Sequence, residues 1–536
     1  MADAQPMALQ AHFPPTSRDA WLRAATQALR GRSLDSLTQR TLEGLVRAPL
    51  YDTPAPDDAP APNDARIATE STLASPYLRD EAALNRRMVG WDIRVHLDAG
   101  TALEAGHVAA VETAGAARSV WITPATPQRP GVVLDSVSAL TALVAQLDVA
   151  ATPIAIDVGA LAHPWLTSLV AAVEATGFGA DDLTGALRTD IAGTFATEGA
   201  LPCSLAGCYD DLAATFKDAE TQAPWLHLVA ASGLPAHDAG ADAAWSLAFA
   251  LTSALGTFRA LAERGLSPTD VARRAELTLG THSDQFLTIA SLRAARLLWA
   301  KLLAGLGVTD ADRHTFLHAV TGRTTTAAQA PWTNMLRGTE EAAAAAMAGA
   351  DAITLTPFDA ALGDSDAQAR QIARNAQLIL AREGHLGRVT DPAGGSAYVE
   401  RLTDGVARLA WRHLQTIERA GGLIAALESG LVQQAIAATV AERTHRIVSG
   451  QQVLVGVNKF VQADEPVLIR PQPKPSSSPL AHPGRTERDR VGADAGPTCV
   501  PLRRYSDAAA WIVAQTHQAD ATGSRDAHGT TAEDRT

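Results

Sequence analysis

The chain carries none of the compact catalytic signatures: no H-E-x-x-H, no H-x-H, no G-x-x-x-x-G-K-[ST] and no G-x-S-x-G. What it offers is scattered acid–base chemistry. The residues that could supply it stand at the C-terminal ends of strand candidates, where barrel enzymes keep their sites. They are Asp157, Asp181, Asp182, Ser232, His237, Asp238, His282, Asp284, His318, Thr321, Arg323, Thr356 and Asp359. His282 with Asp284, or His318 with a carboxylate from elsewhere, has the composition of a general acid–base pair. Strand ends and the loops after them are polar in any case, so spacing alone selects neither pair.

The elements that must position these residues run from about 115 to 391. Short apolar or β-branched runs recur at 119–124 (SVWITP), 153–159 (PIAIDVG), 225–230 (WLHLVA), 315–321 (TFLHAVT) and 352–358 (AITLTPF), with weaker candidates at 178–183, 276–281 and 387–391. Helical stretches separate them. Residues 284–306 place Phe286, Ile289, Leu292, Ala295, Leu298, Leu302 and Leu306 close to one stripe, and 340–348 is nearly pure alanine. Eight strand candidates alternating with helices predict a parallel (β/α)8 barrel, the TIM-barrel form of α/β fold. A doubly wound sheet is the alternative, but no G-x-G-x-x-G follows the first strand.

At 536 residues, with 46% apolar and 19% charged residues, the chain can bury at least one large core. A net charge of −13 argues against nucleic acid or an anionic membrane as partner. Three cysteines without a C-x-x-C fit a reducing compartment, and neither a disulfide framework nor a zinc site. No signal-peptide pattern and no membrane-length apolar run are present, so the expectation is a cytoplasmic protein. Three parts are expected: an N-terminal helical extension and linker at 1–75, the barrel with following helices at 76–466, and a linker with a short, mostly disordered remnant at 467–536. Ser17 caps a first helix. Residues 52–64 and 471–497 have linker composition, and 505–515 could form one short helix.

Residues 387–422 read as a short extended run, a turn at Asp391-Pro392 and Gly394-Gly395, and a long amphipathic helix capped by Ser396 and stopped by Gly421-Gly422. The residue order here, DP-x-GGS-x-YVE-x-LT then AW-x-x-x-Q-x-IE-x-x-GG, closely resembles the adenosylcobalamin-dependent acyl-CoA mutases, the methylmalonyl-CoA mutase family above all. So do RAARLLWAK at 293–301, IARNAQLIL at 372–380, LEGLVRAPLY at 42–51, Trp91-Asp-Ile-Arg94 and IVSGQQVLVGVNKF at 447–460. The resemblance covers about 42–466 and independently implies the barrel.

It also implies which positions should be filled. Active members have Gly-Thr-Ile-Gln-Asn-Asp-Ile, with a substrate-contacting Gln and an acyl-carboxylate-binding Arg ten residues on. Here the run is GALRTDI (185–191), with Arg188 at the Gln position and Glu198 at the Arg position. Active members have Ser-Gly-Tyr-His-Met-Gln-Glu-Ala-Gly. Here the run is SGLPAHDAG (232–240), with Leu234 and Pro235 replacing the Tyr and His and His237 two residues further on. In LHAVTGRTTTAAQ (317–329) His318 is retained but Val320 takes a Gln position, and TLTPFDAAL (354–362) lacks the Asn and Glu that hold the cofactor's ribose. The cobalamin domain's Asp-x-His-x-x-Gly has only the near match Asp526-Ala-His-Gly529.

The resemblance therefore implies the small, non-catalytic subunit of heterodimeric methylmalonyl-CoA mutase. That reading carries no catalytic, cofactor or metal residue on this chain. Adenosylcobalamin would be bound by a large-subunit partner. The alternative is the substrate-binding barrel of a split mutase with a different acyl group, and a barrel with new chemistry from His237, His282 and His318 is a third. Whether the barrel axis admits the pantetheine arm of an acyl-CoA is left open.

Overall fold

The computed structural model describes residues 16–51, 90–127, 129–462, 465–472 and 497–505. They fall into two compact units divided after Pro60. In the first, α1 (Arg18–Ala28) begins at Ser17, whose side chain accepts a hydrogen bond from the Ala20 amide. A two-residue hairpin, β1 (Gln39–Arg40) and β2 (Val46–Arg47), follows and is held by the Tyr51 hydroxyl bonding to Val46 O. The described part of the extension thus holds a helix, a 3-10 turn (Leu34–Leu37) and a hairpin. The linker at 52–64, nearly all of 471–497, the helix expected at 505–515 beyond Tyr505, and Asp526–Gly529 lie outside the described residues.

The second unit is a closed barrel of eight parallel strands: β3 (Asp92–Leu97), β4 (Ser119–Ile122), β5 (Ile154–Gly159), β6 (Gly185–Thr189), β7 (Leu226–Ser232), β8 (Ala275–Gly280), β9 (Phe316–Val320) and β10 (Ala352–Thr354), closed by β10 pairing with β3. Six of the eight expected strands are found at or within a few residues of their expected positions. Two are not. Residues 178–183 form turns, with Asp182 accepting the Gly179 amide, and the strand starts at Gly185. Residues 387–391 form a 3-10 turn and bends instead of an extended run, ending at Asp391 with φ 47°. The missing strand is β3, the segment that begins just after Trp91.

Around the barrel run α2 (Ala102–Ala114), α3 (Val137–Val144), α4 (His163–Ala175), α5 (Ile191–Glu198), α6 (Leu205–Gln222), α7 (Leu234–Asp238), α8 (Ala243–Ala262), α9 (Pro268–Arg273), α10 (Gln285–Gly305), α11 (Thr333–Met347) and α12 (Ala367–Leu378). Then come α13 (Ala397–Arg419), α14 (Leu423–Glu428) and α15 (Leu431–Val448). Ser396 caps α13 as expected, and its apolar face, Val399, Leu402, Val406, Leu414 and Ile417, packs on α8 and α10.

One side chain ties the two most recognisable sequence blocks together. Arg293 of α10 is completely buried. Its guanidinium donates to Asp391 at 2.8 and 3.2 Å, to Glu400 at 2.8 Å and to Thr403 at 2.9 Å. Three residues on Arg296 donates to Gly349 O at 2.6 Å, Thr315 O at 3.1 Å and Asp351 at 2.9 Å, fastening α10 to the entries of β9 and β10. RAAR and DPAGGSAYVE are the two halves of one buried clamp, which gives the pair a reason to persist whatever the barrel does.

Candidate functional site: a filled barrel interior

In a buried parallel strand both faces are apolar, so strands read as near-continuous hydrophobic runs. Here the inward positions break that rule with period two: Asp92, Arg94 and His96 on β3, Ser119 and Trp121 on β4, Asp157 on β5, Arg188 on β6, Glu276 and Thr278 on β8, His318 on β9 and Thr354 on β10.

At the lower level Arg94 donates to Ser119 at 3.1 Å, and the Ser119 hydroxyl donates to Asp92 at 2.5 Å. Arg94 also lies 3.5 Å from Glu276, which is 1% exposed. Arg188 reaches Glu276 from the other side, donates to Asp157 at 2.9 Å and bonds Thr278 at 3.1 Å. Trp121 fills the centre. His96 stacks on it at 3.9 Å, the Arg188 guanidinium lies 5.1 Å from its ring, and His318 meets it edge-on at 5.3 Å. Above, Trp121 joins Ala155, Ala186, Val320 and Leu234 in a buried apolar cluster. Leu234 belongs to the short α7 that follows β7, so that loop folds over the interior.

The hydroxyls assign the imidazole protons. Thr354 donates to Arg94 O at 2.9 Å, so its oxygen accepts from His318 Nε2–H at 2.8 Å. Thr123 donates to Asp157 at 2.8 Å and accepts from His96 Nε2–H at 2.8 Å. Both rings are neutral: burial brings His96 down to about 4 and His318 well below its ordinary range. Burial also pushes Asp92 up, and for Asp157 the Arg188 and Arg129 charges overcome burial and hold it low.

The remaining sequence candidates have the following contacts. Asp284 caps α10 by accepting the Leu287 amide at 3.1 Å. His318 bonds a hydroxyl in place of a carboxylate. Asp181 and Asp182 lie before β6, at the opposite end of the strand from a barrel site. Ser232 accepts the Leu234 amide at 3.2 Å, and Thr321 accepts the Thr356 amide at 3.1 Å. Asp238 pairs with Arg323 at 3.0 Å. Asp359, wholly buried, pairs at 2.5 Å with Arg470, which also reaches Asp366 at 2.7 Å. His237 is completely buried, edge-on to His282 at 5.0 Å and 3.3 Å from Thr324, and burial and His282 lower its basicity. Its ring fits only because residue 280 is glycine: a Cβ there would stand 2.4 Å from the imidazole. The residues missed from sequence, Asp92, Arg94, His96, Trp121 and Glu276, carried a signal in their alternation along β3, β4 and β8.

With that geometry in place, similarity to known proteins becomes informative. Residues 125–480 match the family model described as methylmalonyl-CoA mutase. The methylmalonyl-CoA mutase small subunit of Streptomyces virginiae is 35% identical over 495 residues, 90% of this chain and 76% of the relative. The chain belongs to the methylmalonyl-CoA mutase family. The probable small subunit of Mycobacterium tuberculosis is 39% identical over 248 residues, 45% of this chain and 40% of the relative. The large subunit of the same Streptomyces is 28% identical over 85% of this chain, which spans 64% of that relative's length. Within the family the chain is of the small-subunit kind.

The loop after β10 has its carboxylate, Asp359, engaged by Arg470 and its Phe358 stacked on Trp332 at 4.7 Å. Glu198 closes α5, and burial raises its pKa in spite of Arg129. Among the described residues no group of His, Cys, Asp and Glu could hold a metal ion, and no helix is long and apolar enough to cross a membrane.

Proposed function

We propose that this chain is the structural small subunit of a heterodimeric methylmalonyl-CoA mutase. The assembly would interconvert methylmalonyl-CoA and succinyl-CoA, with adenosylcobalamin and the chemistry on a large-subunit partner in the cytoplasm. In this reading residues 76–466 supply a barrel and an interface, and no residue of the chain is catalytic. One observation carries it: the barrel interior is occupied by Trp121 and the Arg94–Glu276–Arg188 network. A thioester arm entering along the axis would have to displace a stacked indole and separate buried charges, at a cost of several kcal/mol. The residue types at Arg188, Glu198, Leu234 and Pro235, which differ from those the resemblance implies for active members, point the same way. The similarity to a small and a large subunit of one Streptomyces supports the partnership.

The test is co-expression with a full-length large subunit of the family. The expected result is a one-to-one complex with turnover, and an isolated chain with none. Mutase turnover by the isolated chain, or failure to form the complex, would overturn the proposal.

A further inference from the structure

All three cysteines of the chain stand at one corner, where the loop after α5 enters α6. Ser204 caps the 18-residue α6 by accepting the Gly207 amide at 3.2 Å. Cys203 precedes that cap and is partly exposed, whereas Cys208, in the second turn, is fully buried. Their sulfurs are 3.1 Å apart. That is closer than ordinary non-bonded contact, and only about 1 Å longer than a disulfide bond. Cys499 is engaged separately: its thiol donates to Phe195 O at 3.3 Å and its amide to Gly199 O at 2.8 Å. The C-x-x-x-x-C spacing matches no common redox motif.

We infer that Cys203 and Cys208 form a dithiol that is oxidised to an intramolecular disulfide by low-molecular-weight disulfides. Accessibility sets the order of events. The Cys203 thiolate, next to the N-terminus of α6, attacks one sulfur of the reagent; the reagent's S–S bond breaks and the first thiolate leaves with the electron pair. Cys208 then attacks the Cys203 sulfur and expels the second thiolate. The two protein sulfurs lose two electrons, the two reagent sulfurs gain them, and the two thiol protons end on the released thiols. Burial and the neighbouring Cys203 raise the pKa of Cys208, so the buried thiol is the resolving and not the attacking group. The new bond would fasten the loop that holds the chain's later segment through the Ala200–Thr498 bridge.

Glutathione disulfide is the probe, applied to the full chain in its folded state, followed by iodoacetamide and tryptic mapping. Both cysteines fall in one peptide, between Arg188 and Lys217. The expected product is that peptide lighter by two hydrogens and unalkylated, with Cys499 still alkylated. Cys208→Ser should accumulate a glutathione adduct on Cys203 instead. Two alkylated cysteines after treatment, a Cys203–Cys499 link, no adduct in the variant, or bond formation no faster in folded than in urea-unfolded protein would each overturn the inference.

Discussion

Arg188→Gln restores the residue type that active relatives are expected to carry at this position, and it should damage this protein. Arg188 is 3% exposed and serves Asp157, Thr278, Glu276 and the face of Trp121 together. Without it Glu276 keeps Arg94 at 3.5 Å and His227 at 3.9 Å, and Asp157 keeps the Thr123 hydroxyl at 2.8 Å and the charge of Arg129. Removing one partner of a buried pair costs about 3–5 kcal/mol, because the other charge stays buried and uncompensated. Arg188→Gln should therefore lower stability by about 4 kcal/mol. Neutralising both sides in Arg188→Gln/Glu276→Gln should recover much of this, with a coupling energy of at least ~2 kcal/mol. Urea unfolding followed by tryptophan fluorescence reads all four corners of the cycle. A single-variant loss under ~1 kcal/mol, or two additive losses, would refute the claim that Arg188 and Glu276 are energetically coupled in the buried interior.

Further predictions follow from the same residues. Arg293→Met removes the buried cation that faces Asp391 and Glu400 and should cost about 3–5 kcal/mol in the same assay, without affecting the barrel's interior network. Gly280→Ala drives a methyl into the His237 ring and should cost about 1–3 kcal/mol. Two substitutions should change the pH dependence of stability in opposite senses. The folded His96 pKa is lowered from 6.5 to about 4, mainly by burial, so its contribution is present above pH 6.5 and lost as pH falls toward 4. Wild type should lose roughly 3 kcal/mol over that window relative to His96→Asn. Burial raises Asp190 from 3.8 to about 6 despite its bonds from Gly193 and Ser253, so its contribution is present below 3.8 and lost as pH rises through 6. Relative to Asp190→Asn, wild type should gain roughly 3 kcal/mol on acidification from pH 7 to 4.

The closed barrel could be read from the sequence because five of its strands are apolar runs between good helices. β3 was hidden by its inward charges: Asp92, Arg94 and His96 make a barrel strand look like a polar entry segment. β6 was displaced for a related reason. Phe178 and Leu183 supplied apolar residues in what is a turn, while Arg188 interrupted the true strand. The expected run at 387–391 failed because Val389 is 62% exposed and Asp391 turns the chain so that its carboxylate can meet Arg293. The eroded positions were visible as residue types. What replaced them was not, because a network such as Asp92–Arg94–Glu276–Arg188 joins residues up to 184 positions apart that only the closure of the barrel brings together.

The central claim is that this barrel supports chemistry and does not perform it. Its most direct test is equilibrium binding of adenosylcobalamin and of methylmalonyl-CoA to the isolated, folded chain, read by the corrinoid absorbance and by thioester retained after gel filtration. The account expects neither to be retained. Stoichiometric retention of either ligand would contradict it.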